Sequence, residues 1–246
     1  MEPGGGQGAV LTPTIRTIAE TGSTNADLLA LAASGAPEGL WLRAERQTSG
    51  RGRQGRAWQS PPGNFHGSTI VRLRPGDPAA ATLALVAAVA LEEAVAAHAP
   101  GAPLTIKWPN DLLLGGAKLA GILLERADDA VVIGIGVNLA HHPDGLDRPV
   151  TSLAAHGPAP DATRFAETLA DGFAAWLARW RGEGLAAVRD RWSARAHPPG
   201  TPLRVHLPDG ASIAGAFERL DGDGALILRL AHGGLRAIHA GDVFLI

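Results

Sequence analysis

The sequence predicts a mixed α/β fold built on a mainly antiparallel sheet, followed by a small all-β domain. Three observations carry that prediction. Short apolar runs at 104–108, 112–114, 119–124 and 131–139 are separated by Asn-Asp, Gly-Gly and Asp-Asp pairs, the pattern of consecutive strands joined by tight turns. Phe165, Leu169, Phe173, Trp176, Leu177 and Trp180 recur at helical spacing and predict a core helix. After His197-Pro198-Pro199-Gly200 the pattern shifts to short strands broken at Pro208-Asp209-Gly210 and Asp221-Gly222-Asp223-Gly224, as in a small β-barrel.

The other elements follow in chain order. Residues 1–12 are Gly-rich without periodicity and are expected to form a disordered tail. Nothing there joins a basic stretch to an apolar run, so a secretory signal is not expected. A strand at 15–19 precedes Ser23-Thr24-Asn25, which caps a helix over 26–33 that stops at Gly35. Strands are predicted at 40–45 and 65–73, and the Gly-, Arg-, Ser- and Pro-rich stretch between them reads as a long functional loop. The Ala/Leu/Val run at 78–98 contains Glu92 and Glu93, and its uninterrupted part falls short of the ~20 residues of a membrane span, so a buried helix is expected. Another helix is expected over 185–195. The domain division is then a tail at 1–12, a main domain at 13–197 and a terminal domain at 198–246.

Composition narrows the function classes. The chain has 246 residues, 46% apolar and 19% charged, with a formal net charge of −2, which argues against a protein that coats nucleic acid or an anionic membrane. With no cysteine, disulfides, thiol nucleophiles and thiolate metal sites are excluded, and a cytoplasmic location is expected. Of 22 basic residues only Lys107 and Lys118 are Lys. Where Arg has replaced Lys wherever it serves, the remaining Lys mark places that need a compact ammonium.

The motifs are individually ambiguous. Gly50-Arg51-Gly52-Arg53-Gln54-Gly55 matches the dinucleotide fingerprint, but the sequence runs on through Arg56-Ala57-Trp58 to Pro61-Pro62 rather than opening a helix, so the Rossmann reading fails. What remains is a flexible loop carrying Arg51, Arg53 and Arg56, able to close over a ligand while guanidiniums meet phosphate, or an RGG-like segment touching nucleic acid. Lys107-Trp108-Pro109-Asn110-Asp111 ends a strand in a turn, with Asn and Asp suited to ordinary turn work and Lys107 suited to a carboxylate or α-phosphate. Gly134-Ile135-Gly136-Val137-Asn138 permits close backbone approach. The sequence contains no P-loop, no His-Glu-x-x-His and no Gly-x-Ser-x-Gly.

Taken together and in order, Ser23-Thr24-Asn25, Gln47, the Gly50–Arg56 loop, Trp58, the Lys107–Asp111 run, Lys118-Leu119-Ala120-Gly121-Ile122-Leu123 and Gly134–Asn138 resemble the biotin protein ligase family. The resemblance runs from about Ile15 to the C-terminus. It implies a class II synthetase-like catalytic domain and an SH3-like C-terminal domain. It further implies ATP and biotin as substrates with Mg²⁺, metal ligands unassigned, and a biotin carboxyl carrier protein of acetyl-CoA carboxylase or a related enzyme as partner. No membrane partner is expected, and a homodimer is admitted. Some relatives carry an N-terminal DNA-binding domain; with about fourteen residues before the core, none is expected here. Two departures stand out: Phe65-His66-Gly67-Ser68 replaces an aromatic-rich strand, and Gln54 stands where Arg is frequent.

On that resemblance Lys107 and Arg53 are the expected catalytic residues. Ser23, Thr24, Asn25, Gln47, Arg51, Gly52, Arg53 and Lys107 are expected to bind biotin, and Arg56, Trp58 and Asn138 to bind ATP, with Trp58 stacking on adenine. Hydroxyls and amides suit the donors and acceptor of the ureido ring, while cations offset the repulsion between a carboxylate and an α-phosphate. The terminal domain is expected to steer the carrier and to contribute no ligand residue. A lipoate-type ligase shares the adenylation logic but not the ureido-reading polar set. A nucleic-acid-binding module using the Gly-Arg loop is opposed by the acidic charge balance.

Overall fold

The computed structural model describes residues 12–246, so nearly all of the expected tail lies outside the described residues. The first sheet contains β1 (Thr14–Thr21), β2 (Leu40–Gln47), β3 (Phe65–Arg72), β4 (Leu104–Lys107), β5 (Asp111–Leu114), β6 (Ala117–Ala127) and β7 (Ala130–Val137). Their spatial order is β1-β2-β3-β7-β6-β5-β4, and only β1 and β2 run parallel. The Gly-Gly pair between β5 and β6 has φ of 58° at Gly115 and 83° at Gly116, the left-handed geometry that lets a two-residue turn follow the twist of its strands.

Helices cover the two faces unequally. α1 (Thr24–Ala33) starts at Ser23, whose hydroxyl accepts from the Ala26 N–H. It places Leu28 and Ala32 on Leu40, Leu42, Ile70 and Val132, covering only part of one face. On the opposite face lie α2 (Leu83–His98) and α3 (Ala162–Gly182), packed over Trp41, Phe65, Val71, Ile133 and Ile135. α2 is apolar on all sides because it is sandwiched between the sheet and α3, although by length and composition the segment Ala80–His98 could cross a membrane. Its buried Glu92 is paired with Arg191 and Arg195, which lie on and just beyond α4 (Leu185–Ser193). α3 is amphipathic, capped by Asp161, and buries Phe165, Leu169, Phe173, Leu177 and Trp180.

The second sheet holds β8 (Pro202–His206), β9 (Ser212–Leu220), β10 (Leu226–Arg229), β11 (Leu235–Ile238) and β12 (Asp242–Leu245), in the order β11-β10-β9-β8-β12 with every pairing antiparallel. β11 and β12 do not pair, so the hydrogen bonding does not close a barrel. Instead, carbonyls at Gly241 and Val243 accept from side chains of the first domain. The core also runs across the junction: Trp108 and Trp192 join Leu203, Val205, Phe217 and Val243 in one apolar cluster. Trp108 Nε1 donates to the Gly224 carbonyl at 3.2 Å.

Candidate active site

The part of the sheet face that α1 leaves uncovered forms the floor of a cavity of about 420 Å³, within the range of small-molecule sites. Side chains are small or missing there for a steric reason. A Cβ on Gly134 would lie 2.2 Å from Asn25 Oδ1, and one on Gly136 would lie 2.5 Å from the Trp58 indole. The strand that reads Gly-Ile-Gly-Val-Asn therefore admits α1 over Gly134 and Trp58 over Gly136 on one face of the sheet.

One end of the cavity is neutral and hydrogen-bonded throughout. Gln47 Oε1 accepts from the Thr24 N–H at 2.8 Å, and Gln47 Nε2 donates to Ser60 Oγ at 2.9 Å. Thr24 Oγ1 lies 2.7 Å from Ser68 Oγ, which donates to Asn25 Oδ1 at 2.6 Å. Thr24, Asn25 and Ser68 are buried, so these bonds form away from bulk water and hold their groups in fixed positions.

The other end is cationic. Asp111 is buried between the two lysines of the chain: Lys107 Nζ lies 3.2 Å from its Oδ2, and Lys118 Nζ pairs with its Oδ1. Burial opposes ionisation of Asp111, but the Lys118 and Lys107 ammoniums outweigh it and hold the carboxyl below its usual range. Burial lowers the Lys118 pKa against the pull of Asp111. Lys118 Nζ also stands 5.6 Å from the centroid of the Trp58 ring. From the loop, Arg53 donates to Asn110 Oδ1 at 3.1 Å and to the Gly241 carbonyl at 3.2 Å, and Arg56 pairs with Asp242 at 2.9 Å.

Comparison with known proteins identifies the family. The Biotin/lipoate A/B protein ligase family model matches residues 18–138, and the biotin protein ligase C terminal domain model matches 204–246. The chain is 44% identical to the biotin--[acetyl-CoA-carboxylase] ligase of Paracoccus denitrificans, over 92% of this chain and 98% of that one. It is 41% identical to the ligase of the same name from Mycobacterium tuberculosis, over 92% and 86%. The chain belongs to the biotin protein ligase family. A biotin protein ligase from Aquifex aeolicus, solved with biotin and ATP, shares the fold with a TM-score of 0.84 at 22% identity, over 94% of this chain and 99% of that one.

Within this biotin protein ligase fold, the residues expected from sequence converge with one exception. Ser23, Thr24, Asn25, Gln47, Arg51, Gly52, Arg53, Arg56, Trp58 and Lys107 all line the cavity. Asn138 does not line it: it is buried beyond β7, and its amide donates to the Thr151 carbonyl at 3.0 Å, which ties down the segment leading to α3. Its expected contact with ATP finds no support in the cavity lining, and its NH₂ group is engaged by the backbone. The Lys107 ammonium, beside Asp111, also donates to the Val243 carbonyl at 3.1 Å.

Asp111, Lys118, Asp242 and Arg148 of the cationic end were missed, and one expectation about the terminal domain is corrected. Asp111 read as a turn residue, although it is the carboxylate that organises both lysines. Lys118 carried the same scarcity signal as Lys107 but no assigned role. Asp242 gave no local signal, because it reaches Arg56 only through the docking of the two domains. Contrary to the expectation that the terminal domain contributes nothing to the ligand site, Asp242, Val243, Phe244 and Leu245 line the cavity.

Proposed function

We propose that the protein joins biotin to ATP, giving biotinyl-5′-AMP and pyrophosphate, and then passes the biotinyl group to a lysine amine of a biotin carboxyl carrier domain. One observation carries this reading: a single cavity holds a neutral hydrogen-bonding end and a cationic end. The neutral end suits the cyclic urea, and the cationic end suits the meeting of the carboxylate with the α-phosphate. In the first step a biotin carboxylate oxygen forms the bond to the α-phosphorus as pyrophosphate leaves. Lys107, Lys118 and the loop arginines offset the charge that accumulates there, as electrostatic catalysis requires. In the second step the carrier amine attacks the acyl carbon, AMP leaves with the electron pair, and the amine loses its proton. Trp58 is assigned to the adenine, and the Arg51–Arg56 loop to covering the mixed anhydride against water.

Mg²⁺ would accompany the ATP phosphates and offset their charge. The reading also places the protein in the cytoplasm, where ATP and carrier meet. It puts the domain boundary near residue 197, with the terminal domain both steering the carrier and lining the cavity. The test is pyrophosphate release with biotin and ATP, run in parallel with lipoic acid. Release is expected with biotin and not with lipoic acid, whose dithiolane cannot satisfy the hydrogen-bonding wall; release with lipoic acid alone would overturn the assignment.

A further inference from the structure

The neutral wall of the cavity has a direction, and that direction is set from outside the cavity. Asn25 Nδ2 donates to Glu125 Oε2 at 2.8 Å and approaches the Leu123 carbonyl at 3.5 Å. A carboxylate and a carbonyl can only accept, so both require the NH₂ side of the Asn25 amide and turn its oxygen toward Ser68. Ser68 has one proton and spends it on that oxygen at 2.6 Å. Toward Thr24, 2.7 Å away, Ser68 is then an acceptor.

The Thr24 proton is accordingly held within the protein, by Ser68 Oγ and by Gln47 Oε1 at 3.1 Å, and Thr24 offers a ligand only lone pairs. Gln47 is fixed in the opposite sense. Its oxygen faces the Thr24 N–H, which can only donate, so its NH₂ group is left with one hydrogen beyond the bond to Ser60. An acceptor at Thr24 beside a donor at Gln47 matches the N–H and C=O of a cyclic urea. Were the Asn25 amide reversed, its NH₂ would donate to Ser68 and the Ser68 proton would turn to Thr24. The Thr24 proton, displaced from Ser68, would then be left to Gln47 Oε1 or to the ligand, and Thr24 would no longer present lone pairs alone.

We propose that Glu125, which lies on β6 outside the cavity lining, is a positioning residue: it locks the Asn25 amide and thereby sets the donor and acceptor pattern by which the wall selects a cyclic urea acid. The inference rests on the ligase reading above. It makes Glu125 important as an acceptor rather than as a charge, which separates it from a merely structural ion.

The experiment compares four variants of the full chain, with biotin affinity measured by calorimetry and with KM and kcat for adenylate formation. Glu125→Gln keeps an oxygen that can accept from Asn25 and should bind biotin within about threefold of wild type. Glu125→Leu removes the acceptor and should weaken biotin about tenfold, in KM rather than in kcat. Asn25→Asp sets two carboxylates against each other and should weaken biotin about a hundredfold. Adding Glu125→Gln to Asn25→Asp restores a donor opposite the new carboxylate and should recover at least tenfold of that loss, a coupling that independent sites do not show. Thermal unfolding checks that each variant is folded, and the double variant keeps the test open if Glu125→Leu is not. A Glu125→Leu protein that binds biotin as wild type does, or a double variant no better than Asn25→Asp, overturns the inference alone. A wild-type protein that fails to bind biotin overturns the ligase reading and the inference with it.

Discussion

The two ends of the cavity are built by different means. The neutral end draws on the start of α1 and on β2 and β3, and its groups fix one another's orientation before any ligand is present, leaving a Gln47 hydrogen and Thr24 lone pairs free. The cationic end is assembled from β4, β5, β6, the Gly-Arg loop, the segment at Arg148 and β12, and Lys107, Lys118, Arg53 and Arg56 are each engaged by an acid or a carbonyl of the protein. A prearranged neutral wall can read a ligand without rearranging, whereas a cation already paired with Asp111 or Asp242 must share or exchange its partner when phosphate arrives. On the proposed reading, selection of the acid belongs to the first end and the barrier to reaction to the second.

The largest expected effect separates these roles. Lys118→Met should slow adenylate formation by about 10²–10³, as when one donor to a developing charge is lost, while wall variants act mainly on biotin KM. Rapid-quench measurement at saturating biotin checks this, and near-normal turnover would mean that Lys118 serves only Asp111.

Next in size is Gly136→Ala. Its methyl group would stand 2.5 Å from the Trp58 indole, and the ring must shift. We expect KM for ATP to rise about tenfold, with biotin affinity changed less than twofold. An equal loss for both substrates would erase the distinction between the ends.

A smaller effect is expected at Asp242→Asn. Arg56 is 41% exposed in this pair, so little stability is at stake. The loop should nevertheless loosen, and biotinyl-adenylate should escape a few-fold faster. Labelling of exposed lysines on a bystander protein reads the escape; unchanged labelling would show that the domain contact does not hold the loop.

A last effect concerns the pH dependence of stability rather than either substrate. His66 lies two residues before Ser68 on the same face of β3, and burial pushes its imidazole down to about 4 from the ordinary 6.5. As pH falls from 6.5 toward 4, the unfolded chain takes up a proton that the fold refuses, so stability present above pH 6.5 is lost across that window. His66→Gln should remove about 2–3 kcal/mol of this pH dependence, checked by urea unfolding at pH 7 and pH 4.5. Parallel curves for the two proteins would contradict a buried neutral imidazole.

How far the sequence revealed the molecule follows the same division. The strands from β4 to β7 announced themselves through turn pairs, and α3 through its aromatic spacing, because both signals are local. Thr24, Asn25 and Gln47 were legible because each belongs to a short motif with little other work to do. Asp111 was hidden behind a turn that Asn-Asp explains equally well. Asp242 and the pairing of Lys107 with the Val243 carbonyl depend on contacts more than a hundred residues apart in sequence. Ser68 and Glu125 were invisible for a related reason: their chemistry is directed at Asn25, and no spacing along the chain records it. Asn138 differs in the opposite direction: beside two glycines it reads as a ligand contact, while its amide also serves the Thr151 backbone, which no local spacing records.

The most direct test of two ends with separate tasks is a crystal structure with a non-hydrolysable analogue of biotinyl-5′-AMP. The urea ring should lie within hydrogen-bond distance of Thr24 Oγ1 and Gln47 Nε2, with the phosphate-equivalent group in ion-pair contact with Lys118 or Lys107 and the Asn25–Glu125 bond intact. A urea ring seated among the lysines, or a phosphate group against Thr24 and Ser68, would contradict the account.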